Sequence, residues 1–250
     1  MNSVTVSLTI FACVFGGALL GLLLHAILPE HHLSKETQDI VKLGMGLVGT
    51  MAALVLGLLV ASAKGSYDAQ SAEVTQLSAN IALLDRALAL YGLETKEIRT
   101  ILRGAVSRAL DQMWSKDASA SRSAPVSAGG EILYEKIHAL SPQNDAQRSL
   151  KTQASSISVD VAKTRWLMYE QAMTSVSTPL LIVLVLWLSA IFVSFGLFAP
   201  FNATAVSSLF VAALSVSCAI FLILEMYTPY TGLVQISSQP LRAAIAQLGQ

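Results

Sequence analysis

No charged residue falls between Lys42 and Lys64. That interval is about 21 residues, and at 1.5 Å of rise per residue a helix of this length crosses the hydrocarbon core of a bilayer. One side of the helix is a stripe of small residues, Gly49, Ala53, Gly57, Ala61 and Gly65, recurring at every fourth position. Another backbone can come into van der Waals contact along such a stripe. The spacing leaves two readings open: packing within one subunit, and a symmetric interface or pore-side surface. Leu47, Met51, Leu54 and Leu58 follow at steps of four, three and four and share a different face. They are candidates for an apolar constriction, with ordinary lipid or core contact as the alternative.

Composition carries the membrane reading to most of the chain. Of its 250 residues 54% are hydrophobic and 13% charged, against about 25% charged in ordinary soluble domains; mean hydropathy is +0.60. The expected fold is an all-α integral membrane protein with four transmembrane helices, at 4–28, 43–63, 179–199 and 203–225. The first run is too long for a signal-peptide core and lacks a basic start, so it reads as a retained span closed by Pro29. Gly17 and Gly21 form a small stripe there, in step with Cys13 and His25. His25, near the span end, reads as a hydrogen-bonded structural residue, with a pH sensor or ligand as the alternative.

A cytoplasmic antiparallel helical bundle is expected at 65–178, inserted between the second and third spans. Val74, Leu77, Ile81, Leu84, Leu88 and Tyr91 alternate steps of three and four, so the second span should continue into a helix with an a/d stripe. Gly92 should end it and Thr95 should cap the next helix. Residues 115–130, small and polar, read as a flexible loop. Ser141-Pro142 then opens a long returning helix, and Thr178-Pro179 the third span. Residues 226–250 form a cytoplasmic tail. Basic residues at Lys64, Lys163 and Arg165 flank the bundle, which puts it and both termini on the cytoplasmic side of the inner (plasma) membrane.

Sixteen basic and sixteen acidic residues cancel without any long run of one sign, which argues against nucleic acid as a partner. Cys13 and Cys218 read as small buried hydrophobes. In the first link, Glu30, His31, His32, Glu36 and Asp39 have no zinc-ligand spacing and read as a solvated loop. Neither catalytic residues, nor a metal site, nor a cofactor is expected, because no nucleophile–base pair or paired-carboxylate arrangement is recognisable. Glu225 is the only acidic residue in the last two spans. A carboxylate near hydrocarbon wants a partner, protonation or water, and Lys64 is the expected partner, with a snorkelling Glu225 that meets only water and backbone as the alternative.

Span order, the exit of the second span (ALVLGLLVASAKGSYDAQSAEV) and the tail (FLILEMYTPYTGLVQISSQPL) together resemble the bestrophin-like family of bacterial four-span membrane proteins. The family pattern has an acidic residue where Tyr227 stands. Bestrophins themselves, similar in layout, are pentameric anion channels with an apolar neck on the second span. The resemblance therefore implies a homo-oligomeric, anion-leaning ion channel, a pentamer by analogy, whose partners are its own copies, the lipid bilayer and inorganic ions. A non-conducting scaffold or sensor acting through the helical bundle is the other reading of the same residues.

Overall fold

The computed structural model describes residues 3–29, 34–115, 128–173 and 176–248. All regular structure among them is helical: α1 (Ser3–Ile27), α2 (Lys35–Tyr91), a 3-10 turn at Leu93–Thr95, α3 (Lys96–Met113), α4 (Ala128–His138), α5 (Asp145–Met173), α6 (Thr178–Leu197), α7 (Ala203–Met226) and α8 (Gln239–Gln247). Four of these, α1, α2, α6 and α7, are long and apolar enough to cross a membrane. Most of the expected loop, residues 116–127, and the histidine pair His31–His32 with Glu30 lie outside the described residues. The chain divides into two compact units, Met1–Gly65 with Ser175–Tyr227, and Ser66–Thr174 with Thr228–Gln250.

In the first unit α1 packs against α6 and α7. Its core gathers Val14 and Ala18 of α1, Leu184 and Phe192 of α6, Ala213 and Ile220 of α7, and Ala52, Leu59 and Ala63 of α2. Glycine is what lets α1 and α6 meet. A Cβ built on Gly21 would overlap the carbonyl oxygen of Val193, one on Gly196 would overlap that of Ala18, and one on Gly17 would lie 3.1 Å from the Ser189 oxygen. The backbones themselves are in contact, the packing mode that dispersion favours in lipid. At the end of the seam His25 Nδ1 donates to the Leu197 carbonyl at 2.8 Å, which fixes the proton on Nδ1 and satisfies one of the orphan carbonyls at the end of α6.

In the second unit the α2 stripe Val74, Leu77, Ile81, Leu84, Leu88 and Tyr91 is buried throughout. It packs with Ile98, Leu102, Val106 and Leu110 of α3, Leu133 and Ile137 of α4, and Ala154 and Met168 of α5. An ion pair crosses from α2 to α3: Arg99 Nε and Nη2 each donate to an Asp85 carboxylate oxygen at 2.8 Å. Asp85 is buried, and its hydrogen bond holds the Arg99 guanidinium pKa above its ordinary value against the opposing effect of burial. Gly92 ends α2 at φ 140, a conformation strained for any residue with a Cβ.

Several local expectations are corrected. Thr95 stands at the N-cap position of α3, but its hydroxyl points backwards and donates to the carbonyls of Leu88 (2.5 Å) and Gly92 (2.8 Å). It thus closes the end of α2. The helix expected from Ser141-Pro142 starts at Asp145, where Asn144 Oδ1 accepts from the Gln147 amide at 2.8 Å; an Asn side chain three residues before a free N–H does the capping that Ser141 is placed too early to do. The third apolar helix begins one residue before expectation, with Ser177 at the N-cap and Thr178 already helical. In the tail after Tyr227, Tyr230, Ile236, Leu241, Ala244 and Leu248 complete the core of the second unit. Cys13 and Cys218 are free thiols on exposed faces; apolar helices can turn small residues outwards where the surrounding solvent is lipid.

Candidate functional site

The apolar stretch of α2 is the least covered of the four. Within its most apolar 18-residue window 11% of residues are buried, against 33%, 33% and 22% in α1, α6 and α7. At roughly 100° per residue its side chains sort into three faces, of which the third, repeating every four residues, drifts by about 40° at each step. Ala52, Leu59 and Ala63 form the first face and are buried in the first unit. Leu47, Met51, Leu54 and Leu58 form the second, and each is exposed by half or more of its surface or close to it. Gly49, Ala53, Gly57, Ala61 and Gly65 form the third. A Cβ on Gly57 or Gly65 would meet no atom of the described residues within 4 Å, and one on Gly49 only Ile191 Cδ1 at 3.9 Å; Ala53 and Ala61 are exposed.

The two glycine stripes read from sequence therefore differ. Gly17 and Gly21 of α1 are occupied by α6, whereas the α2 stripe from Ala53 to Gly65 is exposed among the described residues. Gly196, the other half of the α1–α6 seam, was not distinguishable in the sequence, because a single glycine in an apolar run has no spacing partner. The small residues Ser207, Ser208, Ala212 and Ser215 of α7 also face outwards. Beside them an open groove of about 680 Å³ is walled by Lys42 and Gly46 of α2, Phe195 and Phe198, and Ser208 and Ala212.

Charge sits at the two ends of the stretch, at the exposed Lys42 and Lys64. At the end of α7 Glu225 is buried. The Tyr227 hydroxyl lies 3.1 Å from Ser62 Oγ, which ties the C-cap residue of α7 to α2 within two positions of Lys64. No group of three or more His, Cys, Asp or Glu side chains able to hold a metal occurs among the described residues.

Four membrane-length apolar helices, one of them with two faces exposed among the described residues, define an integral membrane protein. The chain belongs to the bestrophin-like family, whose domain model matches residues 12–241. No curated protein and no solved structure matches it.

Proposed function

We propose that the protein is a homo-oligomeric ion channel in which the α2 spans surround the pathway. The observation that carries this reading is the division of α2 into three faces of which its own chain uses one. Assigned to a neighbouring copy, the small stripe brings adjacent α2 helices together at backbone distance. The face of Leu47, Met51, Leu54 and Leu58 is then turned to the symmetry axis, where an apolar ring gates by dewetting. Five copies and a preference for anions are taken from the family likeness, and the lysines at both ends of the stretch favour the same sign. The bundle at 65–178, inserted between the second and third spans, and both termini lie in the cytoplasm, with Lys64, Lys163 and Arg165 on that side of the inner membrane. A Lys64–Glu225 pair, supported by the nearby Ser62–Tyr227 contact, anchors the end of α7 to the pathway helix.

Recording from purified protein in planar bilayers tests the proposal. Unitary currents from a particle with a central symmetry axis are expected. A symmetric particle that never conducts would instead favour a scaffold or sensor, and a monomer would remove both the axis and the pathway.

A further inference from the structure

Besides Tyr91 OH, four side-chain oxygens of the second unit are buried without a hydrogen-bond partner among the described residues: Gln70 Oε1, Glu73 Oε2, Gln171 Oε1 and Tyr230 OH. Buried polar atoms in folded proteins are almost always satisfied, and such an orphan asks for an explanation. Gln70 is 2% exposed and Tyr230 8%. The four belong together. Gln171 Nε2 of α5 donates to Glu73 Oε1 of α2 at 2.6 Å. That bond fixes the orientation of the Gln171 amide, since a flipped amide would set its oxygen against the carboxylate. Glu73 is also close enough to Tyr230 to add to the rise in the phenol pKa that burial causes. Gln70 precedes Glu73 by one turn on the same face of α2. Tyr67, one turn earlier again, donates to the Gln235 carbonyl at 3.1 Å, so this face of α2 lies along the segment after α7.

Tyr230 is held from its other side. Its ring meets Trp114 edge-on at 5.4 Å, and Trp114 Nε1 donates to the Ile236 carbonyl at 2.9 Å. The Ile236 amide in turn donates to the Pro229 carbonyl at 2.8 Å. Three separate pieces of chain, α2, α5 and the segment after α7, thus contribute one carboxylate, two amide oxygens and one phenol oxygen, with Glu73 and Gln171 in direct contact.

We propose that Gln70, Glu73, Gln171 and Tyr230 bind a small monovalent metal cation. An all-oxygen set suits a hard ion and offers no nitrogen or sulfur to a transition metal. A single carboxylate neutralises one positive charge. A divalent ion would leave a net charge in a buried site, and calcium takes six to eight oxygens. With the ion in place α2, α5 and the segment after α7 are joined by one centre.

The test is thermal unfolding of the full-length protein in detergent, in sodium, potassium or choline chloride at equal ionic strength. Sodium or potassium should raise the midpoint saturably over choline, following one-site linkage. Tyr230→Phe keeps the ring and removes one ligand, so it should shift the half-saturating concentration upwards by at least about tenfold, and Glu73→Gln should abolish the effect. Equal midpoints in all three salts would overturn the proposal and leave the oxygens to water or to one another. So would a cation effect unchanged by Tyr230→Phe, or stabilisation by calcium alone. The readout is stability, so the result does not depend on whether the protein conducts.

Discussion

The two halves of α2 are a controlled comparison within one helix. From Val74 to Tyr91 the sequence is polar with an apolar stripe, and that stripe is completely covered: Leu84 and Leu88 are 0% exposed. From Leu43 to Ala63 it is apolar all round, yet Leu54 keeps 71% of its surface uncovered. In water each exposed leucine is costly, so the chain must bury its stripe itself. Lipid removes that drive, and close packing needs small residues that find a matching surface. Gly21 has found one in Gly196; Gly57 has not. Small residues exposed in the apolar half are therefore what the proposed oligomer rests on, and the heptad stripe, covered within the chain, is not.

The largest expected effect contrasts the closed and open glycines. Gly196→Leu forces a side chain into the backbone of α1, beyond ordinary overpacking at about 1–3 kcal/mol, and should yield no folded first unit. Gly57→Leu should leave the fold intact and dissociate the oligomer, read by mass in nanodiscs. If Gly57→Leu keeps the native mass, the open stripe is a lipid face and the comparison loses its meaning.

Next, Asp85→Ala removes two charge-assisted hydrogen bonds to the half-buried Arg99 and should cost about 1.5–3 kcal/mol, and Leu84→Ala about 2–5 kcal/mol. Leu54→Ala, in the uncovered half, should change the chain's own stability by less than about 0.5 kcal/mol. Comparable losses at Leu84 and Leu54, measured by denaturant unfolding, would mean that the two halves are not different.

The smallest effect is the coupling of Lys64 to Glu225. Lys64→Met and Glu225→Gln should be non-additive in unfolding free energy by about 0.5–3 kcal/mol if they pair, and additive if Glu225 is served by other groups.

Membrane helices and the covered stripe were legible because each is a repeated signal: uninterrupted apolarity in one case, steps of three and four in the other. Gly92 was legible as a break, because no side chain tolerates its φ. Features set by one residue and its tertiary surroundings were not. Thr95 has the right identity for an N-cap, and only its hydrogen bonds to the carbonyls of Leu88 and Gly92 explain why it turns back. Asn144 wins over Ser141 through a hydrogen bond that depends on where the loop ends. Glu73, Gln171 and Tyr230 lie far apart in sequence with no motif joining them. The single available hint was a glutamine and a glutamate, Gln70 and Glu73, one turn apart beside the buried stripe. For α2, spacing separated its faces and three-dimensional packing alone decided which one the chain uses.

The most direct test of the pathway is cysteine accessibility under voltage. In a background with the exposed Cys13 and Cys218 replaced by serine, cysteines are placed singly at Leu47, Met51, Leu54 and Leu58, with Ala52→Cys as control, and a charged water-soluble thiol reagent is added during bilayer recording. Block of the current at the four exposed positions and none at Ala52 is expected. An absence of current, or a current that the reagent leaves unchanged at all four, would contradict a pathway lined by α2.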